Sequence, residues 1–187
     1  MKAYLDQKDG YILRLACPDD AEAYYEQNYN PLDAETARLT GSKACFSREE
    51  VVSFFRAALH EMDRRWFFLC DPQGKIAAEC LIFEIDPQTR CAAFRIAFFH
   101  PEHRGHGLGT WVTRRVVRYA FEVLRLHRLE LEVFSFNPRA QHVYEKAGFR
   151  KEGVRRDAVL DNGCYADVIL MAILEDEWRI QNEIGAI

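Results

Sequence analysis

The sequence predicts a single α/β domain whose mixed, largely antiparallel sheet is flanked by helices. Two observations support this fold class. Three apolar segments between residues 65 and 99 are separated by tight turns, which is typical of an antiparallel meander. Between residues 94 and 134 a strand, a glycine-rich turn, an amphipathic helix and another strand follow one another, which indicates one parallel crossover. A length of 187 residues suits one domain over 1–187, and a 49% apolar content supplies its core.

The N-terminal third is predicted to hold one strand and three helices. The apolar run Tyr11–Ala16 indicates the strand, and two aspartates precede a helix over 21–28. Residues 29–45 are the least regular segment, and only 34–39 is weakly helical. The run Ser47–Glu50 has the form of a capping box, and the apolar residues after it recur at helical spacing. A third helix therefore starts there.

Turn residues and apolar periodicity place the other elements. The predicted strands are Arg65–Cys70, Lys75–Ile85, Arg90–Phe99, Leu129–Phe134, Phe149–Val154 and Cys164–Leu174. The predicted helices are Leu108–Leu124, whose apolar face packs on the sheet, and Arg139–Ala147, which Gly148 ends. These elements complete one sheet and leave no linker or repeat.

The overall charge argues against nucleic acid as a partner. The formal net charge is −4, whereas nucleic-acid-binding domains carry basic patches. The charge is unevenly distributed, since residues 104–156 hold twelve Lys/Arg against five Glu, and residues 1–100 hold sixteen Asp/Glu against twelve Lys/Arg. Two interpretations fit this asymmetry. Either the basic half binds phosphate, or the charges are ordinary surface charges.

The sequence predicts a cytoplasmic location and no membrane contact. Met1–Gly10 is polar and charged, unlike a signal peptide, and no apolar stretch reaches the roughly 18 residues of a membrane span. The six cysteines include no C-x-x-C pair, and most lie among apolar neighbours as buried hydrophobes do. We therefore expect a reduced, cytosolic enzyme.

The most informative segment is His100–Gly109, where Gly105, Gly107 and Gly109 alternate with larger residues between a strand and a helix. Glycine admits positive φ and close approach of a ligand. A helix N-terminus presents unpaired amides and the positive end of its dipole. The combination predicts a phosphate or diphosphate site, and a glycine-rich connection without a ligand is the alternative. The spacing matches neither a dinucleotide fingerprint nor a Walker loop.

Three histidines in this region raise a metal site as a further alternative. His100, His103 and His106 are spaced three residues apart, and imidazole is a common metal ligand. Pro101 holds His100 extended and glycines interrupt the later positions, so no helical face gathers the rings. We predict no metal. A covalent cysteine mechanism is not predicted either, since no cysteine has a motif-level partner.

Five segments together resemble one family. Arg104–Gly109 fits the Gln/Arg-x-x-Gly-x-Gly/Ala signature of the GNAT superfamily of N-acetyltransferases, and later segments resemble the second half of that pattern. The branch that holds ribosomal-protein N-terminal and spermidine acetyltransferases is the most similar. The segments that carry the resemblance are Arg104–Gly109, Asn137–Ala140, Tyr144–Phe149, Glu152–Arg155 and Asn162–Asp167.

The resemblance implies a GNAT-like fold and acetyl-CoA as co-substrate. The acetyl-CoA side would lie mainly in 90–150 and the acceptor side mainly in 1–65. Turn amides would bind the diphosphate, and backbone amides at the end of the preceding strand would hold the thioester oxygen. The implied cofactor-binding residues are Phe98, Phe99, Arg104, Gly105, His106, Gly107, Leu108, Gly109, Thr110 and Asn137.

Tyr144 is the predicted general acid. The departing thiolate belongs to a thiol with a pKa of about 8.5. A phenol with a pKa of about 10 is un-ionised near neutral pH, so it can give the thiolate a proton or a hydrogen bond. Spacing alone favours packing of Tyr144 with Ala140 and Val143 in the core, whereas the Tyr-x-x-x-Gly-Phe resemblance favours catalysis. Asn137 either contacts the pantetheine arm, as the resemblance implies, or caps the helix after it.

The base that deprotonates the amine is left open. Some relatives carry a glutamate on the strand before the glycine turn, which is absent from 90–99. Glu79 and Glu84 lie on the neighbouring strand at odd spacing, so at most one faces the cleft. Asp33 and Glu35 lie where relatives bind the acceptor. These carboxylates either attract a cationic amine or are solvated loop charges.

The leading hypothesis is transfer of an acetyl group from acetyl-CoA to a primary amine by direct attack in a ternary complex. The acceptor is a polyamine or other small amine, or a protein N-terminus. The second hypothesis is a non-catalytic acyl-CoA-binding sensor or partner module. The oligomeric state, a homodimer included, and the use of an acyl group other than acetyl are left open.

Overall fold

A computed structural model describes residues 4–184 of the chain. The strands are β1 (Tyr4–Lys8), β2 (Tyr11–Leu15), β3 (Arg65–Cys70), β4 (Ile76–Asp86), β5 (Cys91–Phe98), β6 (Arg128–Phe134), β7 (Arg150–Asp161) and β8 (Cys164–Leu174). The helices are α1 (Ala21–Asn28), α2 (Ala34–Thr40), α3 (Arg48–Ala58), α4 (Leu108–Glu122), α5 (Pro138–Ala147) and α6 (Glu175–Ile184). None of these helices combines the length and apolar character needed to cross a membrane.

The eight strands form one sheet in the order β1-β2-β3-β4-β5-β6-β8-β7. Every neighbouring pair is antiparallel except β5 and β6. The parallel pairing covers only Cys91–Ala93 against Arg128–Glu130, so the two strands separate beyond it. The predicted fold class and the single parallel crossover are confirmed, and the separation opens a cleft in the middle of the sheet.

The sheet buries a core on each face. Along β3, Phe67 and Leu69 belong to the core beneath α4 and α5, whereas Trp66 and Phe68 belong to the core beneath α1 and α3. Successive side chains of a strand point to opposite faces, and a strand covered on both faces reads as a continuous apolar run. The helices α1 and α3 therefore lie on the opposite face of the sheet from α4 and α5.

The structure differs from the sequence prediction mainly at polar elements. The helix over 21–28 and the strand Cys164–Leu174 have their predicted bounds, and Ser47 and Glu50 form the predicted capping box. The prediction Phe149–Val154 was wrong at its end, because β7 continues to Asp161 as an exposed strand. The strand β1 and the helix α6 were not predicted. β1 is polar and forms only by pairing with β2.

Candidate active site

The separated ends of β5 and β6 enclose a cleft of about 870 Å³, within the usual size range of small-molecule sites. Backbone and side chains of β5 form one wall and those of β6 form the other. The glycine turn lies at the mouth, and α5 covers the side nearest α4. The predicted site residues that line it are Phe98, Arg104, Gly105, Gly107, Gly109, Thr110, Asn137, Tyr144 and Glu84.

The glycine turn presents a set of free amides. Within residues 4–184 no carbonyl or side chain accepts a hydrogen bond from the amides of residues 105–110. Gly105 and Gly107 have φ of +85° and +72°, and a Cβ added at either would meet no atom within 4 Å. Glycine is thus required for the backbone conformation, and the space above the turn is open. Together with the N-terminus of α4, these amides can bind an anion.

One of the two amides predicted at the end of β5 is available. The Phe99 amide donates to the Ala77 carbonyl at 3.1 Å, and the Phe99 ring is 1% exposed in the acceptor-side core. Successive amides of a strand alternate in direction, so the Phe98 amide points away from β4 and into the cleft. The expectation that Phe99 helps to hold a thioester oxygen is therefore wrong, whereas Phe98 can do so.

The Arg104 side chain points away from the diphosphate site. Its guanidinium donates to Asp33 and Thr36 at 2.7 Å each and to the Phe98 carbonyl at 3.1 Å, and it also bonds to Glu35. Its amide donates to the Pro101 carbonyl at 3.0 Å. The implied role of Arg104 as a cofactor-binding residue is therefore wrong for its side chain, because these bonds occupy the guanidinium. The residue fastens α2 to the end of β5.

The two carboxylates predicted near the acceptor are consequently engaged within the protein. Asp33 caps α2, and although burial opposes ionisation, hydrogen bonds from Arg104 and Thr36 hold the pKa of its carboxyl below the usual value. Glu35 bonds to Arg104 and, at 3.2 Å, to Arg139. Neither carboxylate is free to attract a cationic amine without giving up these bonds.

Tyr144 both packs in the core and reaches the cleft. Its ring contacts Phe94 and Phe149 with centroid distances of 6.2 and 5.9 Å, and the residue is 6% exposed. Its hydroxyl has no hydrogen-bond partner in the described part of the chain. Burial, with the nearby Cys80 thiol, raises the pKa of the phenol above its ordinary value of 10.0. The phenol is therefore a neutral hydrogen-bond donor at the cleft wall.

Asn137 caps α5, one of its two predicted roles, and it also lines the cleft. Its Oδ1 accepts from the Ala140 amide at 3.1 Å and so caps α5, while the residue also lines the cleft. Among residues 4–184 its Nδ2 has no acceptor, so the amide can still donate to a ligand. The His106 ring is engaged within the protein, because its Nε2 bonds to the Glu102 carbonyl at 3.1 Å. His106 therefore contributes its backbone, and not its side chain, to the glycine turn.

Glu79 and Glu84 face different environments, as their odd spacing predicts. Glu79 is 2% exposed beneath α1, where it accepts from Tyr24 at 2.5 Å, from Trp66 at 3.2 Å and from Arg95 at 3.1 Å. Glu84 is exposed and lines the cleft. It has φ of +54° at a bulge where the register of β4 shifts. A non-glycine residue in this conformation is uncommon and often marks a functional position.

Sequence reasoning missed Arg95 and Thr36. Arg95 lines the cleft and is 47% exposed, with its guanidinium on buried Glu79. A single charge inside the apolar run 91–98 was a signal for it. Thr36 joins Arg104 to the Phe98 carbonyl, a contact between residues more than sixty positions apart that no local pattern indicates.

The three histidines have separate partners. His103 Nδ1 lies 3.0 Å from the Tyr11 hydroxyl, and His100 Nε2 lies 2.9 Å from the Gln27 carbonyl. No group of three or more His, Cys, Asp or Glu side chains within residues 4–184 could hold a metal ion. The rings position the glycine turn against its neighbours.

Comparison with known proteins agrees with this geometry. Residues 11–150 match the sequence profile of the Acetyltransferase (GNAT) domain, which is well over half of the chain. The chain belongs to the GNAT family of acetyltransferases. A spermidine N(1)-acetyltransferase of Vibrio cholerae is 33% identical over 137 residues, 73% of this chain and 79% of that protein. One of Escherichia coli K12 is 32% identical over 135 residues, 72% and 71% respectively.

Solved structures show the same fold. A spermidine N-acetyltransferase from Vibrio cholerae in complex with CoA and spermine superposes with a TM-score of 0.81 and 27% identity, and the match covers 92% of this chain and 99% of that one. A dodecameric structure of the V. cholerae enzyme has a TM-score of 0.75 and 28% identity, with coverage of 91% and 97%.

These findings confirm the family resemblance, the fold and the class of activity. The protein is an acetyl-CoA-dependent N-acetyltransferase that transfers the acetyl group to an amine, with acetyl-CoA as co-substrate. The reading as an enzyme is thereby favoured over a non-catalytic acyl-CoA-binding module.

A substitution in the glycine turn separates its backbone role from stability. We expect Gly107→Ala to raise the KM for acetyl-CoA by about tenfold or more, because a Cβ at φ of +72° costs about 1–2 kcal/mol and shifts the amides. Steady-state kinetics and urea unfolding measure the two effects.

Gly163→Ala is the matched control, since Gly163 has φ of +81° and equally open surroundings in the β7–β8 turn. We expect Gly163→Ala to lower the stability to urea by a similar amount and to leave the KM for acetyl-CoA unchanged. An unchanged KM in Gly107→Ala would contradict the role of the turn.

Proposed function

We propose that this enzyme acetylates a polyamine, with an ammonium group of the substrate on Glu84. One observation carries the proposal. Four carboxylates line the cleft, and within residues 4–184 Glu84 alone among them has no arginine or lysine partner. The other three are ion-paired: Glu130 and Glu152 with Arg128, and Glu132 with Arg155. A cationic acceptor therefore supplies the charge that balances Glu84.

The surroundings of Glu84 support a flexible polycation. Phe83 precedes Glu84 in β4 and Phe134 also lines the cleft, and aromatic faces attract ammonium groups and pack against methylene chains. The carboxylates of Glu130 and Glu132 are 53% and 57% exposed, and such surface ion pairs contribute about 0–1 kcal/mol. A second ammonium group can replace their arginines at little cost. The spermidine acetyltransferases among the relatives point to the same substrate class.

The chemistry proposed follows from the two sides of the cleft. The diphosphate of acetyl-CoA lies on the amides of residues 105–110, and the thioester carbonyl lies beside β5. The neutral amine attacks the carbonyl carbon, and the Phe98 amide stabilises the negative charge that develops on its oxygen. The C–S bond then breaks, and the Tyr144 hydroxyl gives its proton to the departing sulfur. The attacking nitrogen loses its extra proton to solvent, and the Tyr144 oxygen regains a proton from solvent. Asn137 donates its side-chain amide to the pantetheine arm.

The role of Tyr144 has a kinetic signature. We expect Tyr144→Phe to lower kcat by about 10²-fold or more, the usual range for loss of a general acid, with the KM for acetyl-CoA little changed. Because burial raises the pKa of the phenol, it stays protonated as pH rises through its ordinary value. The wild-type kcat should therefore show no alkaline decline below pH of about 10 that depends on Tyr144.

Tyr4→Phe is the control, since Tyr4 is 56% exposed on β1. Wild-type rates in Tyr144→Phe, or an alkaline limb near pH 8 that disappears in this variant, would contradict the proposed role.

The acceptor is tested by a mass-shift screen with acetyl-CoA against spermidine, spermine, an aminoglycoside, amino acids and N-terminal peptides. We expect one added acetyl group on the polyamines. Glu84→Gln should raise the polyamine KM by about tenfold or more, because a charge-assisted hydrogen bond contributes about 1.5–3 kcal/mol, and leave the KM for acetyl-CoA unchanged. Acetylation of peptides alone would overturn the polyamine assignment.

Glu145→Gln is the control for the Glu84 substitution, since Glu145 is an exposed glutamate of α5 that lines neither cavity. Equal effects of the two substitutions would remove Glu84 from the site.

We also propose that the chain self-associates. Its V. cholerae relative is dodecameric, and the β7–β8 hairpin presents Leu160 and Tyr165, which are 65% and 73% exposed. Sedimentation velocity is expected to show a species larger than the monomer, and Leu160→Glu should reduce it. A monomer at all concentrations would contradict this proposal.

A further inference from the structure

Arg95 lines the active-site cleft as a cation held by a buried carboxylate. Its guanidinium donates to Glu79 at 3.1 Å, and the two side chains are 47% and 3% exposed respectively. The Glu79 carboxylate also accepts from Tyr24 and Trp66 in the core beneath α1 and α3. The negative charge of this pair is therefore enclosed by the protein, and the positive charge is presented to the cleft.

The neighbours of Glu79 leave both charges of the pair in place. Burial, with the Glu79 charge, raises the pKa of the Tyr24 phenol and that of Tyr29, which lies 3.0 Å away, hydroxyl to hydroxyl. Both phenols are therefore neutral. The Glu79 charge also raises the pKa of the Arg95 guanidinium, although burial opposes this. Arg95 thus stays charged at every pH at which the enzyme can be assayed.

The Arg95 guanidinium lies toward the glycine-turn end of β5. Arg95 stands opposite Leu81 in the sheet, but it bonds to Glu79, which stands opposite Ala97. The side chain therefore extends along β5 in the direction of Phe98, whose amide is the proposed donor to the thioester oxygen. Within the described chain, residues 4–184, Arg95 Nε and Nη1 have no acceptor.

Glu84 lies toward the opposite end of the cleft. Its neighbour Phe83 stands opposite Ala93, where β5 is still paired with β6, whereas Phe98 lies where the two strands have separated. The cleft is therefore polarised, with a cation nearer the proposed position of the acetyl group and a carboxylate farther from it. A substrate with two amino groups meets opposite charges at the two positions.

We propose that Arg95 keeps the reacting amino group of the acceptor neutral, so that the reaction needs no general base. On the proposed function the attacking nitrogen lies near the Phe98 amide, and this role of Arg95 rests on that placement. A like charge disfavours the ionised form of a nearby group, so the guanidinium lowers the pKa of the bound ammonium. Both cations have only hydrogen-bond donors, so no bond between them offsets the repulsion.

The proton passes to water before the new C–N bond forms. The N–H bond of the ammonium breaks, the nitrogen keeps the electron pair, and that pair then attacks the thioester carbon. A second amino group stays charged on Glu84, because an opposite charge favours the ionised form. The polarised cleft thereby selects which nitrogen of a polyamine is acetylated.

The pH profile of kcat tests this role, because it reports ionisations in the complex with substrate. With saturating spermidine and acetyl-CoA, kcat falls on the acidic side as the reacting nitrogen becomes protonated. We expect Arg95→Gln to move this acidic limb to higher pH by about one unit, through loss of the repulsion, with kcat above the limb little changed. Arg95→Lys keeps the charge and should retain the wild-type limb.

Glu79→Gln separates electrostatics from folding. Glutamine can still accept from Tyr24 and Trp66, but it no longer balances the guanidinium, so the acidic limb should move to lower pH. A purely structural role of the pair predicts no opposite shifts, because loss of either partner would lower stability and leave the limb in place. The urea unfolding midpoint of each variant is measured in parallel.

Arg48→Gln is the matched control. Arg48 is an arginine of α3 whose side chain is 58% exposed and paired with Glu22. It lines neither the cleft nor a second cavity, of about 640 Å³, beside α4. The wild-type limb should be retained in this variant.

Histidine titration is controlled separately. The cleft also contains Glu84, the ion-paired residues of β6 and β7 named above, and the ionisable groups of the glycine turn and α5, which are His103, Arg104, Arg139, His142, Tyr144 and Lys146. Histidine has an ordinary pKa of about 6.5, so either histidine could produce an acidic limb. His103→Gln and His142→Gln should each retain the limb, and its loss in either variant would overturn the role of Arg95.

The outcomes distinguish the role of Arg95 from the proposed function. Acetylated spermidine with a limb that stays in place in Arg95→Gln, or that moves the same way in Glu79→Gln, would overturn the role of Arg95 alone. Acetylation of peptides alone, with a limb that still moves to higher pH in Arg95→Gln, would overturn the polyamine assignment alone. Absence of turnover with any amine would overturn both.

Discussion

The separation of β5 from β6 is the constraint on which the rest of the structure depends. The two strands pair over three residues each and then diverge, while β5 remains hydrogen-bonded to β4 along its other edge. The amides and carbonyls of residues 94–98 that face β6 therefore lack a strand partner. Unpaired backbone groups at the centre of a sheet are costly unless a ligand or water satisfies them. An extended pantetheine arm can satisfy them as an added strand does.

The other parts of the site are arranged around this opening. The glycine turn follows β5 directly, so its free amides lie at the mouth of the cleft, and α5 follows β6, so Tyr144 and Asn137 lie along its side. The crossover helix α4 packs its apolar face on the sheet and holds both in register. The positions of the glycine turn and of the proposed site residues Tyr144 and Asn137 thus have one structural cause.

Arg104 shows how tertiary pairing changes the meaning of a motif. In the sequence it is the charged first residue of a phosphate-binding signature. In the fold its side chain is 9% exposed and bonds to two carboxylates, a hydroxyl and a carbonyl. A guanidinium has five donors in a fixed fork, which suits it to joining several acceptors at once. The glycine turn and α2 are thereby connected.

Much of the fold was predictable because it depends on local signals. The capping box at Ser47 and the end of α5 at Gly148 depend on short segments, and both are present as predicted. The strand β1 and the outer half of β7 were not predictable in this way. Their residues are polar and exposed, so no apolar alternation marks them, and they are extended because a neighbouring strand pairs with them.

By itself the sequence determined the fold class, the glycine turn and the family, since periodicity, φ preferences and motif spacing are written in consecutive residues. Within residues 4–184, tertiary structure decided which amide at the end of β5 is free and which carboxylate of the cleft lacks an ion-pair partner. These features depend on contacts between distant segments, such as that of Arg104 with Asp33 across 71 positions. The charge a side chain presents is known only once its partners are known.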